Sequence, residues 1–109
     1  MEYDTFTAGV GPGGLRTKND IRVLLCYLLA SVNVPLHQED ILSILQEYDL
    51  ANYFEVMDAL SDLQTKGLVS ASREYPGCMM IEKQGREVAR QLDVTLPVSI
   101  REKTVAAAM

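Results

Sequence analysis

The sequence predicts a mainly helical domain with one small β-hairpin. Three observations carry that prediction. Apolar residues recur at three- and four-residue spacing through most of the chain, the period of an amphipathic helix. Residues 52–92 read in order as helix, glycine, short strand, proline-glycine turn, short strand, glycine, helix. The chain has 109 residues, 48% of them hydrophobic and 23% charged, which suits one globular domain with one core.

Residues 1–15 read as a Gly-rich arm, because Gly9, Gly11, Pro12, Gly13 and Gly14 crowd one short stretch. The string Gly9-Val10-Gly11-Pro12-Gly13-Gly14 fits GxGxxG by letter. A dinucleotide site would also need a strand before it and a βαβ unit around it, and the sequence offers neither.

The first helix is expected to start near Thr17, whose side chain can cap the N–H of Asp20. Ile21, Leu24, Leu25, Leu28 and Val32 form one stripe, and Val23, Cys26, Leu29 and Ala30 fill the other faces. A helix apolar nearly all round is either the centre of its domain or part of a subunit interface. Asn33 ends it and Pro35 blocks continuation.

Residues 34–37 read as a short extended linker. The second helix is expected over residues 38–48, with His37 at the cap, Glu39 and Asp40 in the first turn, and Ile41, Leu42 and Leu45 inward. Asp49, Leu50 and Ala51 make a turn.

The third helix should begin at Asn52, in capping-box spacing with Glu55. Val56 or Met57, Leu60 and Leu63 point inward, Phe54 reads as core ahead of an exposed aromatic anchor, and Gly67 is the stop. Residues 68–73 and 78–82 are the hairpin strands, joined by a type II turn with Pro76 and Gly77 at its centre. A fourth helix is expected over residues 84–92 with Val88, Ala89 and Leu92 inward. A last helix starts at Pro97.

That order (α1, short extended piece, α2, α3, β-wing-β, α4, then a C-terminal helix) resembles a winged helix-turn-helix. The junction Lys83-Gln84-Gly85-Arg86-Glu87 resembles the strand-to-helix step of many bacterial winged-helix regulators, which often carry Thr where this chain has Glu82 or Lys83. Longer strings sharpen the resemblance. Phe6-Thr7-Ala8-Gly9-Val10-Gly11-Pro12-Gly13-Gly14-Leu15, Leu25-Cys26-Tyr27-Leu28-Leu29, Leu50-Ala51-Asn52-Tyr53-Phe54-Glu55-Val56 and Leu96-Pro97-Val98-Ser99-Ile100-Arg101-Glu102 are similar to a clostridial family catalogued as a domain of unknown function and grouped with winged-helix regulators. The resemblance implies the fold and a transcriptional regulator. It also implies a longer protein, whose C-terminal part could hold a ligand or dimerisation function. The expected division is an arm over 1–15, a winged-helix domain over 16–95 and a C-terminal helix over 96–109.

Charge bears on DNA directly. The chain is net −5, with a pI near 4.7. Between residues 37 and 66 lie seven acids (Glu39, Asp40, Glu47, Asp49, Glu55, Asp58 and Asp62) and one base, Lys66. Such a unit is repelled by phosphates, which supply most non-specific affinity. DNA contacts are therefore expected from Arg73, Lys83, Arg86 and Arg90 on the wing and fourth helix, more than from the third helix. A further basic group, Arg16, Lys18 and Arg22, opens the first helix.

The rival expectation is a protein-interaction or dimerisation module without direct DNA binding, using the acidic face of the third helix. A homodimer through the first helix, the arm or the C-terminal helix is expected. Tyr53, Tyr75, Ile100 and Val105 are the candidate interface residues.

An enzyme is not expected, nor is a cofactor or metal. His37 is the only histidine and has no Cys or second ligand nearby. The longest apolar run, residues 23–30, is far short of the ~20 residues of a membrane span. The N-terminus lacks a basic secretory region, and Cys26 and Cys78 show no CxxC spacing, so the expected compartment is the cytoplasm.

Overall fold

The computed structural model describes residues 17–109, so the expected arm, its Gly-rich string and Arg16 lie outside the described residues. The fold is mainly helical. Its elements are α1 (Lys18–Val32), β1 (Leu36–His37), α2 (Gln38–Glu47), α3 (Tyr53–Thr65), β2 (Val69–Ala71), β3 (Cys78–Ile81), α4 (Lys83–Leu92), a 3-10 turn (Asp93–Thr95) and α5 (Val98–Ala108).

α1 is the central helix. Thr17 Oγ1 accepts from the Asp20 N–H at 3.1 Å, and Asn33 closes the helix in the left-handed conformation at φ 56°. Ile21, Val23, Leu24, Leu25, Cys26, Leu28 and Leu29 are all buried. α1 packs against α3, α4, α5 and β3. Its all-round apolar surface is therefore consumed inside the chain, which removes it as evidence for a subunit seam. Burial also pushes the Cys26 thiol up to about 11, so it stays protonated and unreactive.

The sheet has three strands, where the sequence reading has a two-stranded hairpin. β2 and β3 pair antiparallel, with Val69 opposite Ile81 and Ser70 opposite Met80. The end of the expected linker supplies the third strand, Leu36 opposite Met79 and His37 opposite Cys78, giving the order β1-β3-β2. Two residues are too few to show a strand period, and only the free edge of β3 makes them one. The hairpin closes as expected. Cys78 N donates to Tyr75 O at 3.0 Å, and Gly77 has φ 82°. That turn leans on the start of α2. Gln38 N donates to Gly77 O at 2.9 Å, and the His37 ring fills the space beside Gly77 where a Cβ would stand.

α2 and α3 end alike. After α2, Leu50 N reaches Leu45 O and Asp49 N reaches Gln46 O, with Asp49 left-handed at φ 55°. After α3, Leu68 N reaches Leu63 O and Gly67 N reaches Gln64 O, with Gly67 at φ 76°. Both are Schellman closures. The first fixes the tight turn between α2 and α3, and the second turns the chain into β2.

α5 shares the core. Ile100 is 4% exposed and Thr104 is fully buried, its hydroxyl donating to Ile100 O at 2.8 Å. α5 packs on α1 and α2, and Lys103 Nζ stands 5.9 Å over the Tyr48 ring. Ile100 is thus a core residue instead of the expected interface residue. Val105 is half-buried against the same core.

Two inward assignments also change. Leu92 is 40% exposed, because it lies in the last turn of α4, beyond which Leu96 takes the buried position. Phe54 is 78% exposed. The buried stripe of α3 is Val56, Ala59, Leu60 and Leu63, and Phe54 lies on the opposite side of the helix.

Candidate nucleic-acid interface

α3 carries the acidic face that the sequence reading offered to a protein partner. At about 100° per residue, the buried stripe places Phe54, Asp58, Ser61 and Thr65 on the outward line. All four are exposed. Tyr53 begins the helix beside them, 49% exposed, with its ring edge-on to Phe54 at 5.4 Å between centroids. The rigidity of this face comes from its ends. At the start, Asn52 Oδ1 accepts from Glu55 N at 2.8 Å, and Glu55 Oε1 accepts from Asn52 N at 2.9 Å. At the finish stands the Gly67 closure.

The structure sorts the acids that make α3 unattractive to DNA. Glu55 is engaged in the capping box and half-buried. Asp62 accepts from Arg22 Nε at 2.7 Å and from Lys66 Nζ at 3.0 Å. The Lys66 ammonium and then the Arg22 guanidinium hold its carboxyl below the usual carboxylate range. Arg22 comes from α1, forty positions away in the chain. Asp58 alone among the three has no hydrogen bond or ion pair among the described residues. The outward line therefore carries one of the three α3 carboxylates beside an aromatic ring and two hydroxyls, while Glu39, Asp40, Glu47 and Asp49 stay exposed on α2 and the turn after it.

The four basic residues expected to contact DNA are distributed over two places. Arg73 is exposed in the hairpin loop, next to exposed Tyr75. Lys83 is the exposed first residue of α4. The five residue steps from Cys78 to Lys83, at about 3.3 Å each, put some 16 Å between the loop end of the hairpin and its base. Arg86 and Arg90 sit one turn apart on α4. Arg86 Nη2 donates to Asn33 Oδ1 at the end of α1, beside exposed Val34 and Met80. Arg90 pairs with Glu87, and its guanidinium holds the Glu87 carboxyl below the usual range. Glu82 accepts from the Ser70 hydroxyl. Arg73 and Lys83 have no such partner among the described residues.

Sequence reasoning placed Phe54 in the core ahead of an exposed anchor and did not single out Ser61 and Thr65. The signal was available, since Val56, Leu60 and Leu63 already define the buried direction. The Arg22–Asp62 pair had no local signal, because charge complementarity across forty residues is invisible without the packing of α1 on α3.

No group of three or more His, Cys, Asp and Glu suited to a metal ion occurs among the described residues. No helix among them is long and apolar enough to cross a membrane. No curated protein and no solved structure matches the chain. The family model described as Domain of unknown function (DUF4364) matches residues 21–109, from the first turn of α1 through all of α5. On that match, which takes in most of the chain, the protein belongs to the DUF4364 family.

Proposed function

We propose that this chain is a winged-helix domain that binds duplex DNA as part of a transcriptional regulator. The observation that carries the reading is the arrangement around α3. A helix, a short strand, two helices joined by a tight turn, and a hairpin that completes a sheet in the order β1-β3-β2 together support a winged helix. Within that arrangement α3 keeps its outward line exposed, and two of its three acids are already engaged. The hairpin loop offers exposed Arg73, and α4 offers exposed Lys83. Arg86 and Arg90 contribute where they can exchange Asn33 and Glu87 for phosphates.

The cation count is low, so affinity should be modest and strongly salt-dependent. A mobility-shift or anisotropy titration of the chain on random duplexes and on DNA upstream of its own gene, at about 50 mM salt, tests the reading. Binding at micromolar protein that weakens in the variants Arg73→Ala and Lys83→Ala supports it. No shift at micromolar protein sinks it.

A second reading, a winged-helix protein-interaction module, is favoured by the exposed Tyr53–Phe54 pair, since aromatic side chains at a rigid helix start make good interface anchors. A homodimer is compatible with either reading. Its apolar candidates are now Leu92, Val94 and Val98 at the corner between α4 and α5. Sedimentation that gives a monomer at high concentration would remove it.

A further inference from the structure

The three carboxylates of α3 differ in what already occupies them. Glu55 closes the helix start, and Asp62 is clamped between Arg22 and Lys66. Asp58 is exposed on the outward line and has no partner among the described residues. Its neighbours one turn away are Phe54, Glu55, Ser61 and Asp62, none of them a base. No residue of its own helix face neutralises it.

An ionised carboxylate can only accept hydrogen bonds. In the major groove, guanine offers N7 and O6, and thymine offers O4, all acceptors that repel it. Adenine offers a donor at N6 beside the N7 acceptor. Cytosine offers its N4 amino group as a donor without that neighbouring acceptor, which suits an acceptor-only group best. The same charge penalises every register in which it faces phosphate instead of a base donor.

We infer, resting on the DNA-binding reading above, that Asp58 is a specificity-determining residue of α3, selecting cytosine at one position of the bound duplex and suppressing binding elsewhere. The acidity of the helix then serves discrimination. Arg22 and Lys66 already occupy Asp62, which leaves Asp58 as the carboxylate that reads.

Selection from a random duplex library, followed by anisotropy on the enriched sites, tests this with the unaltered chain and the variant Asp58→Asn. The side chain is exposed and unpartnered, so the variant should fold as the unaltered chain does, checked by an equal unfolding midpoint. The unaltered chain should enrich a motif with one cytosine-dominated position. In D58N that position should move toward adenine, because an asparagine amide matches N6 and N7 together. The cytosine preference should fall roughly tenfold, and binding to unrelated duplex should rise. A motif from the unaltered chain that D58N reproduces at every position overturns the assignment and leaves the DNA reading standing. Binding by neither protein overturns both.

Discussion

Replacing Gly85 with alanine sets two physical effects against each other. Gly85 lies on the buried side of α4, where the helix crosses the base of the β2–β3 hairpin. A Cβ built there stands 2.2 Å from the Leu68 carbonyl oxygen and 2.5 Å from Ile81 Cδ1. Ile81 can rotate away. The Leu68 carbonyl cannot move freely, because it accepts from Glu82 N at 3.0 Å, while Leu68 N is bound to Leu63 O at 2.9 Å. An ordinary carbon–oxygen contact is about 3.3 Å, so α4 must retreat by roughly 1 Å. Overpacking of that kind costs about 1–3 kcal/mol, and weakening the Glu82–Leu68 hydrogen bond adds about 0.5–1.5 kcal/mol. Alanine's better helix propensity offsets about 1 kcal/mol. The net is a destabilisation of about 2 kcal/mol, which for a domain of this size lowers Tm by roughly 8–16 °C. Thermal unfolding followed by circular dichroism measures it. The comparison is Gly67→Ala, where nothing lies within 4 Å and only the φ of 76° resists, at a cost of about 1 kcal/mol. A G85A protein that melts at or above the parent would refute the reasoning, since helix propensity alone would then govern the site and α4 would not be seated on Leu68.

Two further predictions concern α3. Asn52→Ala removes the acceptor for Glu55 N and should cost about 1 kcal/mol in urea unfolding, with Asn52→Ser recovering most of it. The Asp62 carboxyl is depressed in the folded state by Lys66 and Arg22. A depressed folded pKa contributes stability that is present above the unfolded-state value and is lost as pH falls through the folded one. The urea midpoint should therefore drop on acidification through and below the ordinary carboxylate range, and Asp62→Asn should flatten that part of the profile. A profile identical in D62N and the parent would show that the pair does not form in solution.

Local chemistry made much of this fold legible in the sequence. Thr17 caps Asp20, Asn52 and Glu55 form their box, and Gly67 and Gly77 take positive φ, because each of these depends on residues within a few positions of one another. The helical period located the buried stripes of α1 and α3 for the same reason. Local patterns also set limits that the packing then exceeded. Leu92 has the angle of a core residue and lies past the end of the core, whereas Ile100 sits deep within it.

By itself, then, the sequence determined the order of helices and hairpin and the caps and turns that bound the helices, since caps, turns and apolar periods act over one or two turns of chain. The tertiary structure decided which charges remain available. Asp62 is taken by Arg22 only because α1 packs on α3, Arg86 is tied to Asn33 only because α4 packs on α1, and His37 joins a sheet only because β3 has an open edge. These pairings join residues tens of positions apart, and their energies appear only once the core has brought the elements together. The acid count of the sequence therefore overstated the charge on α3, where Asp58 is the carboxylate left without a partner among the described residues.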